Sequence, residues 1–175
     1  MAGKKDTPPP LPHEIFERVC RLARFEGRSI LILSGVFAVL AALNRDVTGA
    51  LAGCLAAGTG ALELNGVNRL RQGDASGLDW LVRSQLLLLA TVLFYAGARI
   101  AQFDPSLLQQ VINSETRAEF SDLGLTEEQI LPLLERGYRT LYITVAIVTV
   151  FYQGAMALYY HRRREAIQTA LAEYP

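Results

Sequence analysis

The stretch LYITVAIVTVFYQGAMALYY, Leu141 to Tyr160, decides the fold. Its 20 residues contain no Asp, Glu, Lys or Arg. At about 1.5 Å per helical residue they cover about 30 Å, the thickness of the hydrocarbon core of a bilayer. The whole block runs from Tyr138 to Tyr160. Working outward from it, a second long block covers Leu81 to Phe103, with Arg83 near its start and Arg99 near its finish. Two shorter ones precede it: SILILSGVFAVLAAL from Ser29 to Leu43, bounded by Arg28 and Arg45, and TGALAGCLAAGTGALEL from Thr48 to Leu64, with Glu63 near its end. Arginines at the ends of the short blocks can extend to the interface and complete them.

The expected fold is therefore an all-α membrane protein with four transmembrane helices in two helical hairpins, spans about 29–45, 48–66, 80–103 and 138–160 within a domain 29–164. The whole-chain composition agrees, with 51% hydrophobic residues against 19% charged, below the quarter typical of soluble domains.

The distribution of charge predicts orientation. Lys4, Lys5, Arg18, Arg21, Arg24 and Arg28 precede span one, Arg69, Arg71 and Arg83 lie around the second connection, and Arg162, Arg163 and Arg164 follow span four. The first connection holds Arg45 alone, and the third is dominated by acids, among them Asp104, Glu115, Glu119 and Asp122. Because Lys and Arg accumulate on the cytoplasmic side, both termini should be cytoplasmic and the membrane the plasma (inner) membrane. Trp80, Tyr159 and Tyr160 would then mark the inner boundary, and Tyr138 and Tyr142 the outer one.

Outside the spans, residues 1–12 (MAGKKDTPPPLP) read as a disordered Pro-rich tail. Residues 13–28 place Ile15, Phe16, Val19, Cys20, Leu22 and Ala23 on one side and Arg18, Arg21, Arg24 and Arg28 on the other. This pattern predicts an N-terminal amphipathic helix lying on the anionic inner leaflet, with Phe25 as its one misfit. Arg162, Arg163 and Arg164 offer a second set of lipid contacts. The third connection, 104–137, should form an extracytoplasmic cap of short helices, one starting at Asp104–Pro105 and one at Thr126, the latter shortened or kinked by Pro132. Residues 165–175 read as a cytoplasmic tail.

Four sets of residues are candidates for function. Gly49, Gly53, Ala57 and Ala61 recur every four residues and predict a close helix contact, since small residues let backbones approach in lipid. Glu63, an acid inside an apolar block, predicts a polar cluster at the inner boundary with Asn65, Arg69, Asp79 and Arg83. In it the carboxylate would pair with an arginine, and Asp79 with Arg83 at i, i+4. Thr149 and Gln153 share a face of span four as intramembrane polar groups. The glycine turn 72–77 carries no phosphate-binding fingerprint.

Function classes narrow accordingly. With 17 basic and 17 acidic residues, no global charge points to nucleic acid. Cys20 and Cys54 form no disulfide framework, and His13 and His161 lack partners at metal-ligand spacing. No cofactor motif is present. No nucleophile with a base stands out, and no paired acids are visible in one cavity, which speaks against an enzyme. The expectation is a non-enzymatic interaction, scaffold or accessory subunit protein, with the bilayer, a homo-oligomer or another membrane protein as partner. The alternative is a small oligomeric transporter or channel using Glu63 and Gln153.

Overall fold

The computed structural model describes residues 11–103 and 127–173. The Pro-rich tail up to residue 10 and the expected cap from 104 to 126 lie outside them. All regular structure among the described residues is helical: α1 (Pro12–Leu43), α2 (Val47–Arg71), α3 (Gly77–Ala101), α4 (Glu127–Arg162) and α5 (Arg164–Glu173). The first four are long and apolar enough to cross a membrane. Their outward side chains agree with that reading: Phe151, Phe94, Leu33 and Leu43 are at least 70% exposed.

Helix ends follow local chemistry. Pro12 occupies the first turn of α1, where a missing N–H costs nothing, and Glu14 reaches back to accept from the Leu11 N–H at 3.3 Å. The chain reverses after α1 in three residues, Asn44 to Asp46, with Arg45 in the left-handed region at φ 58°. Asp46 then caps α2, its Oδ1 accepting from the Gly49 N–H at 2.9 Å. Asp46→Ala is expected to lower stability by about 1 kcal/mol, the usual worth of such a cap, measurable by denaturant titration in mixed micelles. At the other end of α2, Gly73 takes φ 84°, which a glycine adopts without strain. Asp74 orders the rest of that turn, accepting from the Ser76 hydroxyl (2.7 Å) and N–H (2.8 Å). These bonds hold its carboxyl below the usual range.

The chain divides into two compact units, residues 1–91 with 152–175, and residues 92–151. In the first, α1 and α2 pack closely along their length. Gly49 faces Ala41, Gly53 faces Ala38, and Gly60 meets the backbone of Gly27. Gly66 and Gly77 make a similar approach between α2 and α3. The buried positions of α2 include Gly49, Gly53, Ala56, Gly60, Glu63, Val67 and Leu70, a spacing of four and three in alternation. The strict four-residue row therefore needs correction: Ala57 is half-buried and Ala61 exposed. Each step of four residues overshoots a full turn by about 40°, so a row of fours drifts off the contact that steps of three restore.

Val19, Cys20 and Ala23 of α1 are fully buried in a core with Val67 and Leu70, Leu78 and Leu81, Tyr160 and Ile167. Two expectations change here. The segment 13–28 is not a separate helix, because α1 runs unbroken from Pro12 to Leu43, and Val19, Cys20 and Ala23 on its apolar face are covered by protein. The described part of the expected tail, up to Glu173, is helical and packed. After a break at Arg163, α5 buries Ile167 and Ala170.

In the second unit, Tyr142 meets Tyr95 edge-on at 6.0 Å, Tyr138 packs on Phe103 at 5.1 Å, and the Tyr138 hydroxyl donates to the Arg99 carbonyl at 3.4 Å. These contacts join the later part of α3 to the earlier part of α4. That helix continues through Pro132 into the fourth span without ending. Pro132 is the sixth residue of α4, so it forfeits one backbone bond, to the carbonyl four residues before it, and the helix carries on around that gap.

Candidate functional site

Glu63 is 1% exposed and faces inward from α2. Its Oε1 accepts two hydrogen bonds, from Gln85 Nε2 of α3 at 3.0 Å and from the Tyr160 hydroxyl of α4 at 3.0 Å. The same hydroxyl reaches a second carboxylate, Glu26 Oε2 of α1, at 3.3 Å. Four helices thus each contribute one buried polar side chain to a single cluster, Glu26, Glu63, Gln85 and Tyr160. Glycine makes this possible. Gly27, next to Glu26, and Gly60, one turn before Glu63, bring α1 and α2 together, and a β-carbon on Gly60 would stand 2.7 Å from the Gly27 carbonyl oxygen.

The cluster is short of donors. The Tyr160 hydroxyl faces two carboxylates, the Tyr152 hydroxyl stands beside Glu26 as a further donor, and the oxygens Glu26 Oε1 and Gln85 Oε1 are buried without a close partner. A third orphan, Gln153 Oε1, belongs to α4. Native interiors leave few such acceptors unsatisfied, and in a membrane no bulk water is at hand to serve them. Beside the cluster, a groove of about 420 Å³ is lined by Glu26, Gln153, Tyr152 and Ser29 together with apolar residues that include Phe25 and Leu33. Glu26 and Gln153 are 6% and 7% exposed, whereas Phe25 and Leu33 are 73% and 70% exposed. The groove therefore has a polar floor and an apolar rim turned outward.

The remaining expected residues separate. Glu63 takes Gln85 and Tyr160 as partners in place of an arginine. Asn65 is exposed. Arg69 pairs with Asp74 at 3.3 Å and lies 5.5 Å over the Trp80 ring, with Arg83 6.0 Å from the same ring. Asp79 pairs with Arg164 at 3.4 Å, because α5 turns back to bring that arginine within reach of the start of α3. Thr149 donates to the Val145 carbonyl of its own helix at 2.7 Å. Arg18, Arg21, Arg28 and Arg162 are exposed, Arg24 is half-buried, and Arg163 stacks on Tyr159 at 5.6 Å. Among the described residues no three metal-binding side chains are grouped.

Tyr160 is fully buried and so is no interfacial marker. Two further participants, Glu26 and Gln85, escape the sequence reading. Glu26 stands among arginines just before the first charge-free block and reads as solvated, while Gln85 is a lone polar residue at a span's start. The signal available was register: Glu26 lies three and seven positions beyond the buried Ala23 and Val19, on the same helical face. No paired acids were expected in one cavity; this face turns Glu26 toward Glu63, and the two share the Tyr160 hydroxyl, though only Glu26 lines the groove. Comparison with known proteins supplies no analogue for the arrangement: no family model, no curated protein and no solved structure matches this chain.

Proposed function

We propose that this chain is a non-enzymatic integral membrane protein that works by binding within the plane of the bilayer, as a subunit or accessory protein, with the acid cluster as its binding centre. The observation that carries this reading is the polar floor at Glu26 and Gln153, short of hydrogen-bond donors and placed under an apolar rim. A partner or ligand that reaches it must cross apolar side chains, which fits approach from the bilayer. Intramembrane acids are functional by default, and the transporter reading has one observation in its favour: Glu63 and Gln153 both take part in this inward-facing polar region.

A flux assay separates the two readings. Purified protein in liposomes should leave imposed proton and potassium gradients decaying at the rate of empty liposomes, with Glu63→Gln no different. A potential-driven flux that Glu63→Gln abolishes would overturn the binding reading in favour of transport.

Orientation follows from the arginines before α1, at the α2–α3 turn and at the end of α4, giving cytoplasmic termini in an inner membrane. In a chain carrying Cys20→Ala and Cys54→Ala, a membrane-impermeant maleimide should label Asn44→Cys from outside intact cells. Gln72→Cys should be labelled only after permeabilisation. The reverse pattern would invert the topology.

A further inference from the structure

Resting on the binding reading above, we propose that the groove beside Glu26 receives the primary ammonium head of a membrane amphiphile. The floor supplies what such a head needs. Glu26 Oε1 and Gln153 Oε1 are acceptors without close partners, on side chains more than nine-tenths buried, and no Lys or Arg lines the groove. An ammonium brings three N–H donors and a positive charge, so it answers both the orphan oxygens and the carboxylate. A bare metal ion is a poorer fit, since two free oxygens fall well short of the six or more that hard cations collect. About 420 Å³ is also far more room than an ion fills.

The rim and the depth point to an amphiphile. Phe25 and Leu33 present apolar surface along which acyl chains can lie. From Leu43 at the far end of the span, Glu26 is 17 residues away, about 25 Å along the helix, which places it within about one turn of the inner edge of a 30 Å core. Arg21 and Arg28, four residues before and three after Phe25 on α1, are exposed on the flanking stripe, where the phosphate of a zwitterionic lipid would meet them.

The test is native mass spectrometry and thermal stability of the full chain in detergent, titrated separately with phosphatidylethanolamine, phosphatidylcholine, phosphatidylglycerol and free ethanolamine. Phosphatidylethanolamine should bind one to one and at least tenfold more tightly than phosphatidylcholine, whose trimethylated nitrogen has no N–H to donate. Glu26→Gln should remove the preference. Leu33→Trp, at an exposed rim position that leaves the core untouched, should weaken binding at least tenfold and serves if Glu26→Gln does not fold. Equal binding of the three lipids, a preference that survives Glu26→Gln, or binding that Leu33→Trp leaves unchanged would overturn the proposal. Saturation by ethanolamine alone at the same concentration would overturn the lipid as source while keeping the ammonium chemistry. The flux result is independent of all these outcomes, so failure here leaves the binding reading to stand or fall by its own assay.

Discussion

Gly60→Leu is expected to abolish packing of α1 on α2 and to leave little folded protein. A β-carbon at this position would already lie 2.7 Å from both the Gly27 carbonyl oxygen and the Leu31 nitrogen. These are backbone atoms of a helix and cannot rotate away. Overpacking a tight contact typically costs about 1–3 kcal/mol, and a clash with backbone belongs at or above the top of that range. The same substitution two residues earlier is the control. Nothing lies within 4 Å of a β-carbon on Gly58, so Gly58→Leu should fold as well as the parent protein or slightly better, since glycine is a poor helix former. Size-exclusion profiles and thermal unfolding of the two variants give the comparison. Equal loss at both positions would show that helix propensity, not the Gly27–Gly60 crossing, governs the site.

The second large effect is expected at Glu63, where the identity of the replacement decides the outcome. Glu63→Ala leaves Gln85 Nε2 and the Tyr160 hydroxyl without their shared acceptor and opens a cavity in a fully buried position. Two stranded donors and a void together should cost about 3 kcal/mol. Glu63→Gln keeps an oxygen where both donors point, and its amide can donate to the orphan oxygens of Glu26 or Gln85. Its cost should be below about 1 kcal/mol. Denaturant unfolding in mixed micelles measures both. A large loss in the glutamine variant would mean that charge, not hydrogen-bond complementarity, holds the cluster.

The membrane-spanning class was legible in the sequence because it rests on a one-dimensional quantity, the length of an uncharged apolar run. Leu141 to Tyr160 states it without help from the rest of the chain. What escaped depends on three dimensions. The end of the hydrophobic block at Arg28 looks like the end of a structural element, yet helix α1 passes through it, since backbone hydrogen bonds are indifferent to a change from lipid to protein surroundings. Val19, Cys20 and Ala23 read as a face for the leaflet, and they are covered instead by Val67, Leu70, Leu81 and Ile167. The Ile167, Ala170 and Leu171 spacing of α5 was the overlooked clue to what covers them.

The candidate site was half legible for the same reason. Glu63 declares itself as an acid among apolar residues. Glu26 does not, because in sequence it is one charge among several, and only the register of α1 against α2 separates it from its arginine neighbours. Partner choice was less legible still. Arg69 and Arg83 were near enough in sequence to neutralise Glu63, but both go to the Trp80 side of the α2–α3 turn, leaving the carboxylate to uncharged donors.

A structure determined from a lipidic mesophase containing phosphatidylethanolamine tests the central claim, that the acid cluster is built to receive a donor from the bilayer. Non-protein density is expected in the groove, within hydrogen-bond distance of both Glu26 Oε1 and Gln153 Oε1. A closed groove in which the Gln153 amide turns to donate to Glu26, with no bound group between them, would contradict it.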